Sequence, residues 1–376
     1  MLDPRVLDKM LPLLKGVYGN ASSTEHLYGW EANEVVNNAR EQISILINCS
    51  PNEIIFTSGA TESNNISILG SIDCFKEAHA ITIETEHKSV LDVFKSLNKD
   101  STSISYISVE PDGIINLDLL YESVKPNTKL ISIMAANNEI GVIQPIVEIG
   151  DFCRKNQIIL HVDAAQAIGK MDIDMKKMSI DLMSISSHKI YGPKGVGCLY
   201  INQKTMKNKI NPISYGGAQE KGLRPGTLAV HNIAGFGEAC RIVNHEIETD
   251  IKHIKLLTEL FYNKINSGYS QTTLNGNKDK RIPGNLNLTF KGLNSEPLIQ
   301  KFKDIAVSSG SACTSSSPEP SHVLKAIGLK NSLIKSTIRV GIGRFNTTDE
   351  INKAVDYILK IIDKLKINKK EAINGR

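Results

Sequence analysis

The sequence has few cysteines and no closely spaced pair among them. Its 376 residues contain six, which are Cys49, Cys74, Cys153, Cys198, Cys240 and Cys313. Because no two of them form a C-x-x-C pair, the spacing argues against a disulfide framework and against a zinc ribbon in a chain of this size. We therefore expect a reducing compartment and no metal site.

The sequence also lacks a strong net charge and long apolar runs. The net charge is only +4 at pH 7, which is too small to indicate direct binding of nucleic acid. No apolar run approaches the roughly 20 residues of a membrane-spanning helix. The first residues, "MLDPRVLDKM", lack the apolar centre of a signal peptide. We expect a cytoplasmic protein without a membrane partner, although a segment missing from the start could hide a targeting signal.

Short apolar strands alternate with helical patterns over the first 250 residues. The strand-like runs are "EIIFTSG", "AITIETEH", "TSISYISV", "LISIMAA", "QIILHVDAA" and "DLMSISSH". This order predicts an α/β fold with a mostly parallel mixed sheet flanked by helices. Beyond residue 250 the pattern changes to that of a smaller C-terminal α+β domain. The expected domains are an N-terminal segment over 1–12 that packs with the small domain, a large domain over 13–250 and the small domain over 251–376.

Chemically capable side chains follow the ends of the predicted strands, where open parallel sheets bind ligands. Lys189 in "SISSHKIYGPKG" is placed to be a partly desolvated amine nucleophile, and Asp163 in "HVDAAQ" needs a cationic partner or good hydrogen-bond donors. "TSGATES" puts small and hydroxyl residues before a helix, which suits a phosphate. Alone, Lys189 has a plainer reading as an exposed loop lysine, and "TSGATES" as a simple N-cap. Together they predict a pyridoxal phosphate site.

Cys313 lies in "SSGSACTSSS", a run with little apolar surface to bury. A structural cysteine normally has apolar neighbours, because it behaves as a small hydrophobic residue. A thiol in such a loop is either incidental or one that must move and react.

Eight stretches, in order and over nearly the whole chain, resemble those of the cysteine desulfurases. They are "FTSGATESNN", "TEHKSVL", "NNEIGV", "HVDAAQAIGK", "SSHKIYGPKGVG", "RPGTLAVHNIAG", "VSSGSACTSSS" and "IRVGIGRF". This family lies in the class V aminotransferase branch of the fold-type I pyridoxal phosphate enzymes, so the resemblance implies that fold and that cofactor. It also implies removal of sulfur from L-cysteine, which yields L-alanine and a persulfide on Cys313.

The resemblance assigns a role to each matching position. Lys189 would bind the cofactor covalently and move the substrate Cα proton, His87 would stack on the pyridine ring as an acid/base, and Cys313 would accept the sulfur. Asp163 would pair with the pyridine N–H, Gln166 would donate to the phenolic oxygen, and Thr227 would reach the phosphate of a neighbouring subunit. Asn138 and Arg339 would hold the substrate carboxylate. The cofactor-binding set is Ala60, Thr61, His87, Asn138, Asp163, Gln166, Ser186, His188, Lys189 and Thr227.

The partners that the resemblance implies are a second copy of the chain and an iron–sulfur scaffold or other sulfur acceptor, such as a tRNA-thiolation protein. With a scaffold, Cys313 would be a transient ligand of a [2Fe–2S] cluster. The family usually begins with a segment ending in Asp-x-x-Ala-Thr-Thr, which precedes the match to "DPRV" and is absent here. Three alternatives stay open: a selenocysteine lyase, another class V aminotransferase or, because of that segment, a catalytically impaired, truncated relative kept as a partner protein.

Overall fold

The computed structural model describes residues 1–97, 102–293, 298–308 and 320–374, with the side chains of 367–374 left aside. The chain divides into two compact units. The first comprises Met1–Ile107, Leu117–Ala136 and Gln144–Ile247. The second comprises Ser108–Asn116, Asn137–Ile143 and Glu248–Arg376.

The first unit is built on a seven-stranded mixed sheet. Its strands β1 to β7 are Ile54–Thr57, Ala78–Ile83, Thr102–Ile107, Thr128–Ser132, Ile159–Asp163, Leu182–Ser186 and Gly197–Ile201. Their order is β1-β7-β6-β5-β4-β2-β3. Only β7 runs against the others, since it pairs antiparallel with both β1 and β6 while the remaining pairs are parallel. The predicted mostly parallel sheet is confirmed.

Helices connect these strands and cover the sheet. The first six, α1 to α6, are Pro4–Lys15, Leu27–Ile47, Ala60–Ile72, Lys88–Leu97, Leu117–Glu122 and Ile146–Asn156. Helix α7, Val230–Gly268, has residues in both units. Apolar residues at helical spacing explain the packing of α4, whose Val90, Val93 and Phe94 are buried. They join a core that includes Ala80 of β2 and Leu130 of β4.

The second unit contains a three-stranded antiparallel sheet of order β10-β9-β8. These strands are Thr272–Leu274 (β8), Asn285–Phe290 (β9) and Thr337–Gly341 (β10), and the helices are His322–Ala326 (α8), Asn331–Lys335 (α9) and Thr348–Asn374 (α10). Its core forms between the sheet and the long helices, with Phe290, Ile338 and Ile358 nearly inaccessible to solvent. This agrees with the α+β character predicted for the C-terminal part.

The N-terminal residues belong to the first unit. The Asp3 backbone N–H donates to the carbonyl oxygen of Tyr191 (2.9 Å), and the Asp3 carboxylate caps α1 and pairs with Arg5. Arg5 also pairs with Glu246 at 2.5 Å. These contacts hold α1 in place. In the part of the chain that the structure describes, no helix is both long and apolar enough to cross a membrane.

Candidate active site

The sheet of the first unit brings several predicted site residues to one edge. Strands β1, β2, β4, β5 and β6 all run in the same direction, so their carboxyl ends lie along the same edge. Residues 58–61 follow β1, His87 follows β2, Asp163 ends β5, and residues 186–189 end β6 and begin a short 3-10 helix. This is the edge at which open α/β sheets bind ligands.

Asp163 is a buried carboxylate held by neutral donors. Asp163 is only 5% exposed to solvent. Asn64 Nδ2 donates to its Oδ2 (2.9 Å), and the backbone N–H of Ala165 donates to its Oδ1 (2.9 Å). Neutral donors orient a carboxylate without neutralising it, so Asp163 is suited to hold a cationic N–H of a ligand.

His87 lies close enough to Asp163 and Lys189 for all three charges to interact. Burial lowers the pKa of the His87 imidazole, the nearby Asp163 carboxylate opposes that change, and the charge of Lys189 adds to it. Lys189 itself is half-buried in the 3-10 helix Ser187–Ile190, which starts at the end of β6. The fold thus assembles an amine, an imidazole and a carboxylate from three separate strand ends.

The N-terminus of α3, with Gly59, Ala60 and Thr61, lies beside Ser186, and together they form the cradle at Gly59. Gly59 precedes the helix with φ +148°, a conformation that favours glycine, and a Cβ added there would lie 3.7 Å from Ser186 Oγ. Ala60 is half-buried and Thr61 is exposed in the first turn, whose N–H groups have no partners within the helix. Ser186 Oγ lies 2.9 Å from Nδ1 of His188. Hydroxyl groups, an imidazole and helix N–H groups are the donors that a phosphate needs.

Two other predicted cofactor residues occupy more open positions. Gln166 is half-buried just beyond β5, and its Oε1 accepts a hydrogen bond from Lys170 Nζ (3.3 Å). Thr227 is exposed, between the 3-10 helix Gln219–Gly222 and the start of α7. An exposed position is compatible with a contact to a neighbouring subunit.

The predicted carboxylate-binding residues lie together in the second unit. Arg339 on β10 donates from Nη1 to the carbonyl oxygen of Asn138 (3.0 Å). Its neighbour Glu139 is 4% exposed, and Ser321 Oγ donates to Glu139 Oε2 (2.5 Å). Burial raises the pKa of Glu139 to about 7, against the opposing effects of the Ser321 hydrogen bond and the Arg339 charge.

Glu139 should make the stability of the protein fall as the pH rises. Between pH 4.5 and about 7 the folded chain holds a proton on Glu139 that the unfolded chain has lost. Raising the pH through this range therefore lowers the free energy of unfolding by about 3 kcal/mol. We expect Glu139→Gln to remove this loss, because a glutamine Oε1 still accepts from Ser321. Urea unfolding of Glu139→Gln and of the wild type at pH 5 and pH 8 should show that the variant has the higher free energy of unfolding mainly at pH 8. Glu148→Gln, on the exposed side of α6, controls for the loss of one carboxylate, and an equal gain at both pH values would contradict the prediction.

Cys313 lies outside the described residues. The five cysteines that the structure describes are Cys49, Cys74, Cys153, Cys198 and Cys240. Burial raises the pKa of every one of these thiols, that of Cys49 to about 12. Since the thiolate is the reactive form, burial disfavours sulfur acceptance by these five thiols. The role of Cys313 stays a prediction.

The sequence analysis did not single out Asn64, Ser89 or Glu139. Asn64 is fully buried on α3 and donates to both Asp163 Oδ2 and Ser89 Oγ (2.9 Å each). Ser89 Oγ in turn lies 2.8 Å from His87 Nδ1. The one available signal was the polar sequence "TESNN" at the start of a helix that must cover the sheet.

The residues at the sheet edge fit pyridoxal phosphate. A buried carboxylate with neutral donors is available for a pyridine N–H, a half-buried lysine for a covalent link, and the cradle at Gly59 for a phosphate. Among residues with a described position, no three His, Cys, Asp or Glu side chains gather in a way that could hold a metal ion.

Comparison with known proteins agrees with this arrangement. A family model described as aminotransferase class-V matches residues 1–354. The chain is 47% identical over 369 residues to the cysteine desulfurase IscS of Colwellia psychrerythraea, covering 97% of this chain and 91% of that protein. It is 50% identical over 362 residues to the mitochondrial cysteine desulfurase of Saccharomyces cerevisiae, covering 96% of this chain and 72% of that protein.

Solved structures give the same result. A NifS-like protein matches with a TM-score of 0.88 at 33% identity, over 96% of each chain. The structure of SspA in complex with cysteine matches with a TM-score of 0.81 at 34% identity, over 92% of this chain and 97% of that chain. The chain therefore belongs to the class-V aminotransferase family and, within it, to the cysteine desulfurases. The family and the fold predicted from the eight sequence stretches are confirmed.

Proposed function

We propose that this chain uses pyridoxal phosphate to remove sulfur from L-cysteine, with L-alanine and a persulfide on Cys313 as products. The observation that carries the proposal is the buried Asp163 carboxylate, held by neutral donors beside His87 and Lys189, in a member of the cysteine desulfurases. The related SspA structure contains cysteine, which supports L-cysteine as the substrate.

The first unit would hold the cofactor. Asp163 would keep the proton on the pyridine nitrogen, and Gln166 would donate to the phenolic oxygen. The N–H groups of Ala60 and Thr61, with Ser186 and His188, would bind the phosphate. Thr227 would reach the phosphate of the second copy in a homodimer, and its exposure supports that role.

Substrate binding falls to Arg339 and Asn138. A guanidinium presents paired N–H donors that match the two oxygens of a carboxylate, which a lysine ammonium does not. Arg339 already donates to the Asn138 carbonyl oxygen, and this contact restricts the orientation of its side chain. Restricting the guanidinium before the substrate binds lowers the entropy that is lost on binding.

The reaction separates into a proton transfer and a sulfur transfer. Pyridoxal phosphate supplies an electron sink for negative charge at the substrate Cα. The Lys189 amine removes the Cα proton, and Asp163 keeps the pyridine nitrogen protonated. The Cys313 thiolate then attacks the substrate sulfur, so that a new S–S bond forms as the Cβ–S bond breaks. The electron pair of the broken bond stays with the carbon skeleton, which takes up protons and leaves as alanine.

Several finer assignments belong to the proposal. The sulfur acceptor is an iron–sulfur scaffold or a tRNA-thiolation protein, and with a scaffold Cys313 serves as a transient [2Fe–2S] ligand. The expected domain bounds and the cytoplasmic location also stay predictions. One relative is named mitochondrial and another is bacterial, so the relatives do not point to a single compartment.

The deciding experiment measures alanine and sulfide formed from L-cysteine by the full 376-residue chain with added pyridoxal phosphate and a reducing thiol. We expect equal amounts of both products. A higher specificity constant for L-selenocysteine would favour a selenocysteine lyase instead. No alanine from a chain that still binds pyridoxal phosphate would favour a catalytically impaired relative.

A further inference from the structure

A continuous row of hydrogen bonds connects the two groups that flank the cofactor position. Asp163 Oδ2 accepts from Asn64 Nδ2 (2.9 Å), and the same Nδ2 lies 2.9 Å from Ser89 Oγ. Ser89 Oγ lies 2.8 Å from His87 Nδ1, and the Ser89 backbone N–H lies 3.1 Å from that same nitrogen. The row joins residues from α3, α4 and the ends of β2 and β5.

The direction of each hydrogen bond is determined from the Asp163 end. A carboxylate only accepts, so the Asn64 amide must present its NH₂ group to Asp163. The opposite amide orientation would place Asn64 Oδ1 against a carboxylate oxygen. Asn64 Oδ1 is buried and has no hydrogen-bond partner among the described residues. The hydrogen bonds of this side chain therefore come from its NH₂ group, with one donor directed to Asp163 and the other to Ser89.

The same logic determines the protonation of His87. The Ser89 backbone N–H, which can only donate, points to His87 Nδ1, so that nitrogen accepts. Ser89 Oγ accepts from Asn64 and still has its hydrogen, which it therefore donates to the same nitrogen. A nitrogen that receives two donors must present a lone pair. Nδ1 is therefore unprotonated, and in the neutral ring the hydrogen is on Nε2.

We propose that Asn64 and Ser89 are positioning residues that hold His87 as the neutral Nε2–H tautomer, with the direction of the hydrogen bonds set by Asp163. The proposal rests on the proposed function, since that function gives His87 and Asp163 their roles. It refines the acid/base role expected from the sequence. In this state His87 presents a hydrogen-bond donor from Nε2, and gaining a proton at Nδ1 would require both Ser89 donors to move away.

The charges around His87 are consistent with a neutral ring. Burial is the largest influence and lowers the pKa of His87. Asp163 and Asp92 favour the protonated form, whereas Lys189 and Lys88 disfavour it. Removing the Ser89 hydroxyl, one of the two donors to Nδ1, should therefore raise the pKa of His87, because this donor stabilises only the unprotonated Nδ1.

Long-range ¹H–¹⁵N correlation spectra of the full chain with ¹⁵N-labelled histidine test the proposal, with pyridoxal phosphate bound and after its removal. The chain has nine histidines, and His87→Gln identifies the His87 signals. We expect the Nε2–H tautomer at pH 7 in the wild type. Ser89→Ala removes the hydroxyl donor to Nδ1 but keeps the backbone N–H donor, and Asn64→Ala leaves the hydroxyl free to turn away. In both variants the titration midpoint should therefore move to higher pH, and the Nε2–H fraction of the neutral ring should be smaller. The kcat for L-cysteine should fall about tenfold in both, with KM within about twofold.

Matched controls remove a hydroxyl from each of the same two helices. Ser71 on α3 is buried, and Ser96 on α4 donates to the Val93 carbonyl oxygen of its own helix. Ser71→Ala and Ser96→Ala should leave the His87 spectrum and kcat unchanged. If Asn64→Ala does not fold, Ser89→Ala decides alone.

Two outcomes would overturn the proposal: an Nδ1–H or doubly protonated His87 in the wild type at pH 7, or an unchanged tautomer and midpoint in the variants. Failure of the proposed function is recognised separately. A chain that shows the Nε2–H tautomer but forms no alanine supports the positioning role and refutes the activity. A chain that forms alanine with His87 protonated on Nδ1 refutes the positioning role and supports the activity.

Discussion

Lys189→Ala should abolish alanine formation from L-cysteine, with a loss of about 10⁴-fold or more. An alanine can neither link to the cofactor nor remove the Cα proton. Lys189 is half-buried in the 3-10 helix at the end of β6. It lies near enough to His87 for the charge of the lysine to lower the pKa of the imidazole. The variant should still bind pyridoxal phosphate through Asp163 and the cradle at Gly59. It should lack the absorption band of the lysine-linked cofactor.

Lys194→Ala provides the matched control for this experiment. Lys194 lies five residues further along and is exposed. Its removal should leave both the absorption band and the rate of alanine formation at wild-type values. If the band survives in Lys189→Ala and disappears in Lys194→Ala, the assignment of the lysine is wrong.

Cys313→Ser should bind pyridoxal phosphate and L-cysteine but form no protein persulfide. A serine hydroxyl does not replace the thiolate that attacks the substrate sulfur, so turnover should stop after the substrate has bound. Mass mapping of alkylated peptides after exposure to L-cysteine should find the added sulfur on the peptide of Cys313 in the wild type. The same peptide in the variant should carry none.

Cys74→Ser is the comparison for the thiol variant. Cys74 is half-buried, its Sγ donates to the Gly70 carbonyl oxygen (3.4 Å), and burial raises its pKa. This variant should form the Cys313 persulfide at the wild-type rate. Recovery of the labile sulfur on Cys74 or on another described cysteine would refute the role of Cys313.

Much of the secondary structure followed from local patterns. The strand-like runs "QIILHVDAA" and "DLMSISSH" contain β5, Ile159–Asp163, and β6, Leu182–Ser186. Other elements had weaker signals. Strand β7, Gly197–Ile201, is fully buried and begins with glycine, and β8, Thr272–Leu274, lies in a polar stretch. The sequence analysis identified neither strand, because a short strand gains its stability from the neighbour with which it pairs.

Some features of the candidate site could likewise be predicted from the sequence, and others could not. The sequence indicated that His87, Asp163 and Lys189 follow strand ends, and the family resemblance assigned their roles. The sequence did not show that a buried asparagine joins Asp163 to Ser89, since Asn64 and Asp163 are 99 residues apart. Likewise, nothing in "NNEIGV" shows that Glu139 is buried with a pKa of about 7. Burial and partners of this kind depend on how distant segments pack.

By itself, the sequence determined the family and the main helices and strands, and it predicted the residues that would carry the chemistry. These properties reside in short stretches, where hydrophobic periodicity and residue type act over a few positions. The tertiary structure alone decided which side chains connect Asp163 to His87 and that Glu139 is buried. A hydrogen bond requires its two atoms within about 3 Å, and only the order of strands in the sheet brings such distant residues that close.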